Sequence, residues 1–87
     1  MPDGITDLCR FYADQYGMIF HTVYDPRFFI IKGDIVFRNT RKNFSIMCAG
    51  MTEKEIIGHF HTIIYDVLAA AARLDVYTVK MEDQSDG

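Results

Sequence analysis

The strongest constraint on this chain is a helix signal that begins at Thr52. The tetrapeptide Thr52-Glu53-Lys54-Glu55 is a capping box, in which the Thr side chain and the Glu three residues later each satisfy a free backbone N–H. The apolar residues that follow recur at three- and four-residue steps: Ile56, Ile57, Phe60, Ile63, Ile64, Val67, Leu68, Ala71 and Leu74. This pattern predicts a long amphipathic helix that ends near Leu74 and needs an apolar layer to cover it.

Residues 18–49 can supply that layer, because they are rich in β-branched and aromatic side chains. Turn signals at Asp25-Pro26-Arg27, Gly33-Asp34 and Thr40-Arg41-Lys42 divide the segment. The predicted strands are 18–24, 28–32, 35–39 and 43–49. An alternative joins residues 28–39 into one bulged strand and leaves three strands. The short connections favour an antiparallel meander in either case.

The two ends of the chain complete the predicted fold. Residues 3–16 carry an apolar stripe that stops at Gly17, which indicates an N-terminal helix. Residues 76–80 have a β-like composition and could add a short edge strand, and residues 81–87 are polar and acidic. We therefore predict one compact α+β domain at 1–80, followed by an acidic flexible tail at 81–87. In this domain the long C-terminal helix packs on one face of a three- or four-stranded antiparallel sheet.

The cysteine content and the apolar tracts bear on the compartment. Cys9 and Cys48 lie far apart and form no metal-binding spacing, so reduced thiols are expected, with a single bridge between them as the alternative. The N-terminus lacks the charged and apolar regions of a signal peptide, and the longest apolar tract is much shorter than a membrane span. We predict a cytoplasmic protein that does not contact membranes.

No motif in the sequence predicts catalysis. Glu55 and His59 share a face of the second helix, but His61 lies about 200° around the helix from His59 and cannot complete a metal site with them. Gly50 precedes the same helix, and a single glycine is a weak signal for a phosphate-binding loop. We therefore predict no metal, no cofactor and no enzymatic activity.

The charge is distributed unevenly and points to one candidate binding site. Residues 27–42 hold five basic residues against one acid, whereas the rest of the chain holds four against eleven. Arg38, Arg41 and Lys42 are predicted to cluster at a hairpin tip that could grip phosphate or carboxylate groups. This predicts, as an alternative function, a nucleic-acid-binding or regulatory module.

The order of a helix, three strands and a helix resembles the double-stranded-RNA-binding domain. That family has a lysine-rich start to its last helix, whereas this chain has Thr52-Glu53-Lys54-Glu55 there. Two glutamates at this position repel phosphates, so nucleic acid is the less favoured partner.

The outer face of the second helix is the second candidate site. The face opposite the apolar stripe carries small residues and one tyrosine: Gly58, Thr62, Tyr65, Ala69 and Ala72. His61 lies beside this face. A face with so little charge could admit another helix closely. The partner would be a different protein, or a second copy in a homodimer through the second helix. A dimeric structural or chaperone-like subunit is thus a further alternative.

In size, acidity and order of elements the chain resembles the small inhibitors that phages encode against host defence, including anti-CRISPR proteins. The resemblance implies a stoichiometric, non-enzymatic inhibitor that blocks a host protein or nucleoprotein complex. It also implies that acidic groups, in Asp3, Asp7 and Asp14 or in Glu82, Asp83 and Asp86, occupy a surface meant for nucleic-acid phosphates.

Overall fold

The computed structural model describes residues 3–85, and it describes side chains as far as Leu74. The chain folds into five elements: helix α1 at Asp3–Tyr16, strands β1 at Ile19–Asp25, β2 at Ile30–Phe37 and β3 at Thr40–Met47, and helix α2 at Glu53–Ser85. The strands form one antiparallel sheet in the order β1-β2-β3. Both helices pack on the same face of the sheet, α2 over β2 and β3 and α1 over β1. The predicted α+β meander is confirmed.

The middle of the sheet is one strand, so the four-stranded version of the prediction is wrong. Gly33 and Asp34 do not form a hairpin turn; Gly33 pairs with Thr22 on β1 and with Phe44 on β3. Gly33 has a φ of 155°, and a Cβ atom there would lie 1.8 Å from the carbonyl oxygen of His21. A glycine is needed here because the backbones of β1 and β2 approach closely, and not because the chain turns.

The turn between β2 and β3 is displaced from its predicted position at 40–42. Phe37 pairs with Thr40, which leaves Arg38 and Asn39 as a two-residue connection. Arg38 has a φ of 54°, as tight hairpin turns require. The earlier turn signal at 25–27 is confirmed in place, since the Asp25 carboxylate accepts a hydrogen bond from the backbone N–H of Arg27 at 3.0 Å. The connection extends over residues 26–29, so the predicted strand start at 28 is wrong and β2 begins at Ile30.

Helix α2 continues to Ser85 instead of ending near Leu74, so the edge strand predicted at 76–80 is wrong. No glycine or proline occurs between Leu74 and Ser85, and the mild helix-lowering effect of β-branched residues does not end a helix by itself. Residues 81–85, assigned to the predicted tail, belong to this helix. Residues 86–87 of that tail lie outside the described residues.

The core lies between α2 and the sheet. Phe60 is fully buried, and its ring stacks with Phe20 of β1 at 6.0 Å and meets Phe44 of β3 edge-on at 5.4 Å. The other fully buried side chains are Ile5, Ile31, Ile35, Ile64 and Val67. The apolar stripe of α2 therefore faces the sheet as its periodicity predicts, except at its last member, Leu74, which is exposed.

Candidate functional site

An aromatic surface lies between the two helices. We define it by five residues: Phe11, Tyr12 and Tyr16 of α1, and His61 and Tyr65 of α2. Tyr12 and Tyr16 are four residues apart, as are His61 and Tyr65, so each pair shares one face of its helix. Tyr12 is central: its ring centroid lies 5.2 Å from that of Phe11, 5.3 Å from that of Tyr16 and 6.2 Å from that of His61.

The rings of this surface divide into a buried centre and an exposed rim. Tyr12 is buried, whereas Phe11 is 53%, Tyr16 48% and Tyr65 55% exposed. Burial raises the pKa of Tyr12 above its ordinary value, and the neighbouring Tyr65 raises it further through its charge and a hydrogen bond. The Tyr12 phenol is thus neutral at physiological pH. Three large aromatic rings, one phenylalanine and two tyrosines, are therefore about half exposed to solvent.

The small residues and the tyrosine predicted on the outer face of α2 are exposed, but together with His61 they do not form one site. His61, which is half-buried, and Tyr65 belong to the aromatic surface. Gly58 and Thr62 line a shallow groove with Glu55 and His59. In that groove the Thr62 hydroxyl donates to the Gly58 carbonyl at 3.1 Å.

The two alanines on this face lie in different places. Ala72 is exposed and is seven residues, or two turns, beyond Tyr65, so it extends the aromatic surface along α2. Ala69 lines a cavity on the other flank of the helix. Contact with a partner stays a prediction for each of these residues.

The predicted basic tip is divided by the geometry of the strand. Arg38 lies in the turn, with its guanidinium 5.1 Å from the centre of the Phe37 ring. Arg41 pairs with Val36 and Lys42 pairs with Ile35. Because successive strand residues point to opposite faces, Lys42 points towards α2 and Arg41 towards the open face of the sheet. The three residues thus lie in one hairpin but do not share one face of the sheet, and their role in binding stays a prediction.

A partly enclosed cavity of about 310 Å³ lies where the start of β3 meets α2. Its lining residues are Thr40, Arg41 and Lys42 from β3, and Asp66, Val67, Ala69, Ala70 and Arg73 from α2. Arg41 lines the cavity from β3, which is an edge strand of the sheet. Arg73 was missed at the sequence level, because only the packing of α2 on β3 brings it near residues about thirty positions earlier. No local sequence signal marks such a pairing.

The face of the sheet away from the helices combines one polar pair with apolar residues. His21 on β1 and Asp34 on β2 are paired across the strands, with 2.7 Å between Nδ1 and Oδ1. Ile19, Val23 and Met47 on the same face are all more than half exposed. Lys32 lies on this face too, far from the cavity in the other layer.

Reactive and metal-binding groups are sparse in the part of the chain for which side chains are described. No three His, Cys, Asp or Glu residues there are grouped as metal ligands. Cys9 and Cys48 are free and half-buried. Burial raises the pKa of the Cys9 thiol to about 11, so this thiol is protonated and weakly nucleophilic at neutral pH.

Comparison of the chain with protein-family models, with curated proteins and with solved structures finds no match. Within residues 3–85, no helix has both the length and the apolar character needed to cross a membrane. The fold and the site define a small α+β domain with an exposed aromatic surface between its helices.

Proposed function

We propose that this chain is a non-enzymatic protein-binding domain whose partner docks on the aromatic surface. The observation that carries the proposal is the set of three half-exposed rings, Phe11, Tyr16 and Tyr65, arranged around the buried Tyr12. Exposing large aromatic rings to water is unfavourable, and contiguous apolar patches commonly mark contact sites. Aromatic side chains also dominate the energetics of protein interfaces, because they bury a large area with few rotatable bonds.

The charge beside this surface supports a more specific form of the proposal. Asp7, Phe11 and Asp14 are spaced four and three residues apart, so two exposed carboxylates flank the Phe11 ring on one face of α1. An apolar centre with an acidic rim is complementary to a basic, nucleic-acid-binding protein. We propose that the domain acts as a stoichiometric inhibitor of such a host protein or nucleoprotein complex, in the manner of phage anti-defence proteins.

A double substitution tests the docking surface. Phe11→Ser with Tyr65→Ser removes two exposed rings and leaves the buried Tyr12 in place. We expect the parent chain to co-purify with a defined partner from its native host, and the double variant to bind that partner at least about 100-fold more weakly. Both chains should show the same circular dichroism and cooperative melting.

The matched control is Phe28→Ser, which removes an equally exposed ring, 64% accessible, from the loop between β1 and β2. It should bind like the parent. Unchanged binding by the Phe11/Tyr65 variant, or equal loss in the control, would assign docking to another surface. If the captured partner is an enzyme, a fall in its activity at one equivalent of the domain tests the inhibitor proposal separately.

A second copy of the chain is the alternative partner for this surface, as in a homodimer through α2. Sedimentation equilibrium distinguishes the two cases, since a dimer has twice the 10.0 kDa mass of the chain. Ala72→Arg places a long charged side chain on the same face of α2 as Tyr65 and keeps helix propensity nearly constant. A dimer that this substitution converts into a monomer would identify the second copy as the partner.

A further inference from the structure

We propose that the cavity between β3 and α2 binds a phosphate monoester dianion. We define the phosphate cavity by its four polar residues, Lys42, Arg41, Arg73 and Thr40, together with Asp66 at its wall. This site is separate from the aromatic surface, and it does not depend on the proposed protein partner.

The first argument is convergence of positive charge from two layers of the fold. Lys42 points from β3 towards α2, Arg41 lies next to it on the same edge strand, and Arg73 comes from α2. Three cations therefore line one partly enclosed space, although the chain as a whole has a net charge of −3. Like charges brought together in this way repel one another unless an anion lies between them.

The second argument is that this charge is not neutralised locally. Among the residues whose side chains the structure describes, Asp66 is the one acidic residue that lines the cavity, which leaves a balance of two positive charges. Among the described residues, the ion pairs that form are His21–Asp34 and Arg27–Asp25, and neither involves a cavity residue. A dianion carries two negative charges and so neutralises this balance, whereas a single carboxylate or a phosphodiester carries only one.

The third argument concerns hydrogen bonding at the cavity wall. Two buried hydroxyl oxygens, those of Thr22 and Thr40, have no hydrogen-bond partner among the described residues, and of the two residues only Thr40 lines the cavity. Buried hydroxyl groups in proteins are nearly always satisfied. A rotation about the Cα–Cβ bond of Thr40 would let its hydroxyl donate to a ligand oxygen. Two guanidinium groups and an ammonium add the charge-assisted donors that phosphate oxygens favour.

The size of the cavity limits what the phosphate can be attached to. A volume of about 310 Å³ holds a phosphate group with a small organic substituent. Free phosphate and a small phosphorylated metabolite share the same recognition chemistry. Inorganic phosphate, phenyl phosphate and the monoanion dimethyl phosphate are probes that separate these sources.

The test is a two-dimensional amide NMR titration of the full chain at about pH 7.5, where phosphate is largely dianionic. We expect saturable shifts for residues 40–42 and 66–73 with inorganic phosphate or phenyl phosphate, and much weaker effects with dimethyl phosphate. Tighter binding of phenyl phosphate than of inorganic phosphate would identify a phosphorylated organic ligand. Equal binding of these two would identify free phosphate.

Matched neutral substitutions locate the site. Lys42→Gln and Arg73→Gln should each weaken binding by about tenfold or more, because each removes one charged donor. Lys32→Gln, on the other face of the sheet, and Arg10→Gln, on α1, should leave the affinity unchanged. The proposal is overturned by shifts that do not saturate, shifts centred elsewhere, equal losses in the controls, or equally tight binding of dimethyl phosphate. Thermal melts verify that each variant is folded.

Discussion

At the scale of single residues, Gly33 has the most stringent requirement in the sheet. A side chain there meets the backbone of β1, since a Cβ atom would lie 1.8 Å from the His21 carbonyl oxygen and 3.0 Å from the Thr22 Cα. Backbone atoms in the middle of a ladder cannot move aside without breaking neighbouring hydrogen bonds. Gly33 therefore fixes how closely β1 can approach β2.

We predict that Gly33→Ala lowers the free energy of unfolding by at least about 2 kcal/mol, through strain at a positive φ and the clash with β1. The matched control is Gly58→Ala on α2, where an added Cβ has no neighbour within 4 Å. That variant should be more stable than the parent by up to about 1 kcal/mol, because alanine favours helix. Urea denaturation of both variants measures the difference. Equal stability of the two alanine variants would contradict this account of the sheet.

At the scale of elements, the start of α2 is fixed by reciprocal hydrogen bonds. The Glu55 backbone N–H donates to the Thr52 hydroxyl oxygen at 3.2 Å, and the Glu55 carboxylate accepts from the Thr52 N–H at 3.1 Å. The hydroxyl of Thr52 also donates to that carboxylate at 3.0 Å. These bonds from the Thr52 backbone and side chain hold the pKa of Glu55 below its ordinary value.

We predict that Thr52→Ala destabilises the protein by about 1 kcal/mol at neutral pH, through loss of the N-cap. The pKa of Glu55 is lowered in the folded state, so its stabilising effect is complete above the ordinary pKa of 4.5 and is lost as the pH falls through the folded value. The difference between parent and Thr52→Ala should therefore shrink in acid. Denaturant titrations at neutral and acidic pH measure it.

The control for this prediction is Thr62→Ala, the same substitution within α2. The Thr62 hydroxyl bonds back to the helix carbonyl of Gly58 and caps nothing. Because alanine is the better helix former, this variant should be as stable as the parent or slightly more stable at both pH values. A loss like that of Thr52→Ala would show that the N-cap is not responsible.

The predictability of each element follows from how local its causes are. The start of α2 and the stop of α1 at Gly17 were predicted correctly, since a capping box and a left-handed glycine act within a few residues. Gly33 was misread as a turn, because glycine occurs both in tight turns and where two backbones lie very close together. The second role depends on the neighbouring strand and leaves no local sequence signal. The end of α2 was misplaced because β-like composition is a weaker determinant than the absence of a helix breaker.

The candidate sites were less predictable than the elements, because they combine residues from different layers. Tyr65 and His61 could be placed on the correct helix by periodicity alone. Their contact with Tyr12 depends on how α1 packs against α2, which no short sequence pattern encodes. Lys42 and Arg73 line one cavity only because β3 packs against α2.

At the scale of the whole molecule, α2 separates two surfaces of different chemistry. Tyr65 and His61 face α1 on one flank, whereas Asp66 and Arg73 face β3 on another. Residues 65 and 66 are neighbours in the chain but lie about 100° apart around the helix. The aromatic surface binds through apolar rings and the phosphate cavity binds through charge, so salt should affect them differently.

We predict that raising NaCl from about 50 mM to about 500 mM weakens phosphate binding strongly, because the screening length falls from above 10 Å to a few ångströms. Affinity for the protein partner should change by less than about threefold, since apolar contacts are not screened and the rim carboxylates Asp7 and Asp14 chiefly affect the association rate. Isothermal titration of one protein sample with each ligand measures both affinities, so each serves as the control for the other. A steep fall in partner affinity would mean that the acidic rim or the cavity, and not the aromatic rings, supplies the binding energy. If the affinities for both ligands fell in parallel with salt, the two ligands would share one charged site. That result would contradict the conclusion that the aromatic surface and the phosphate cavity are separate sites.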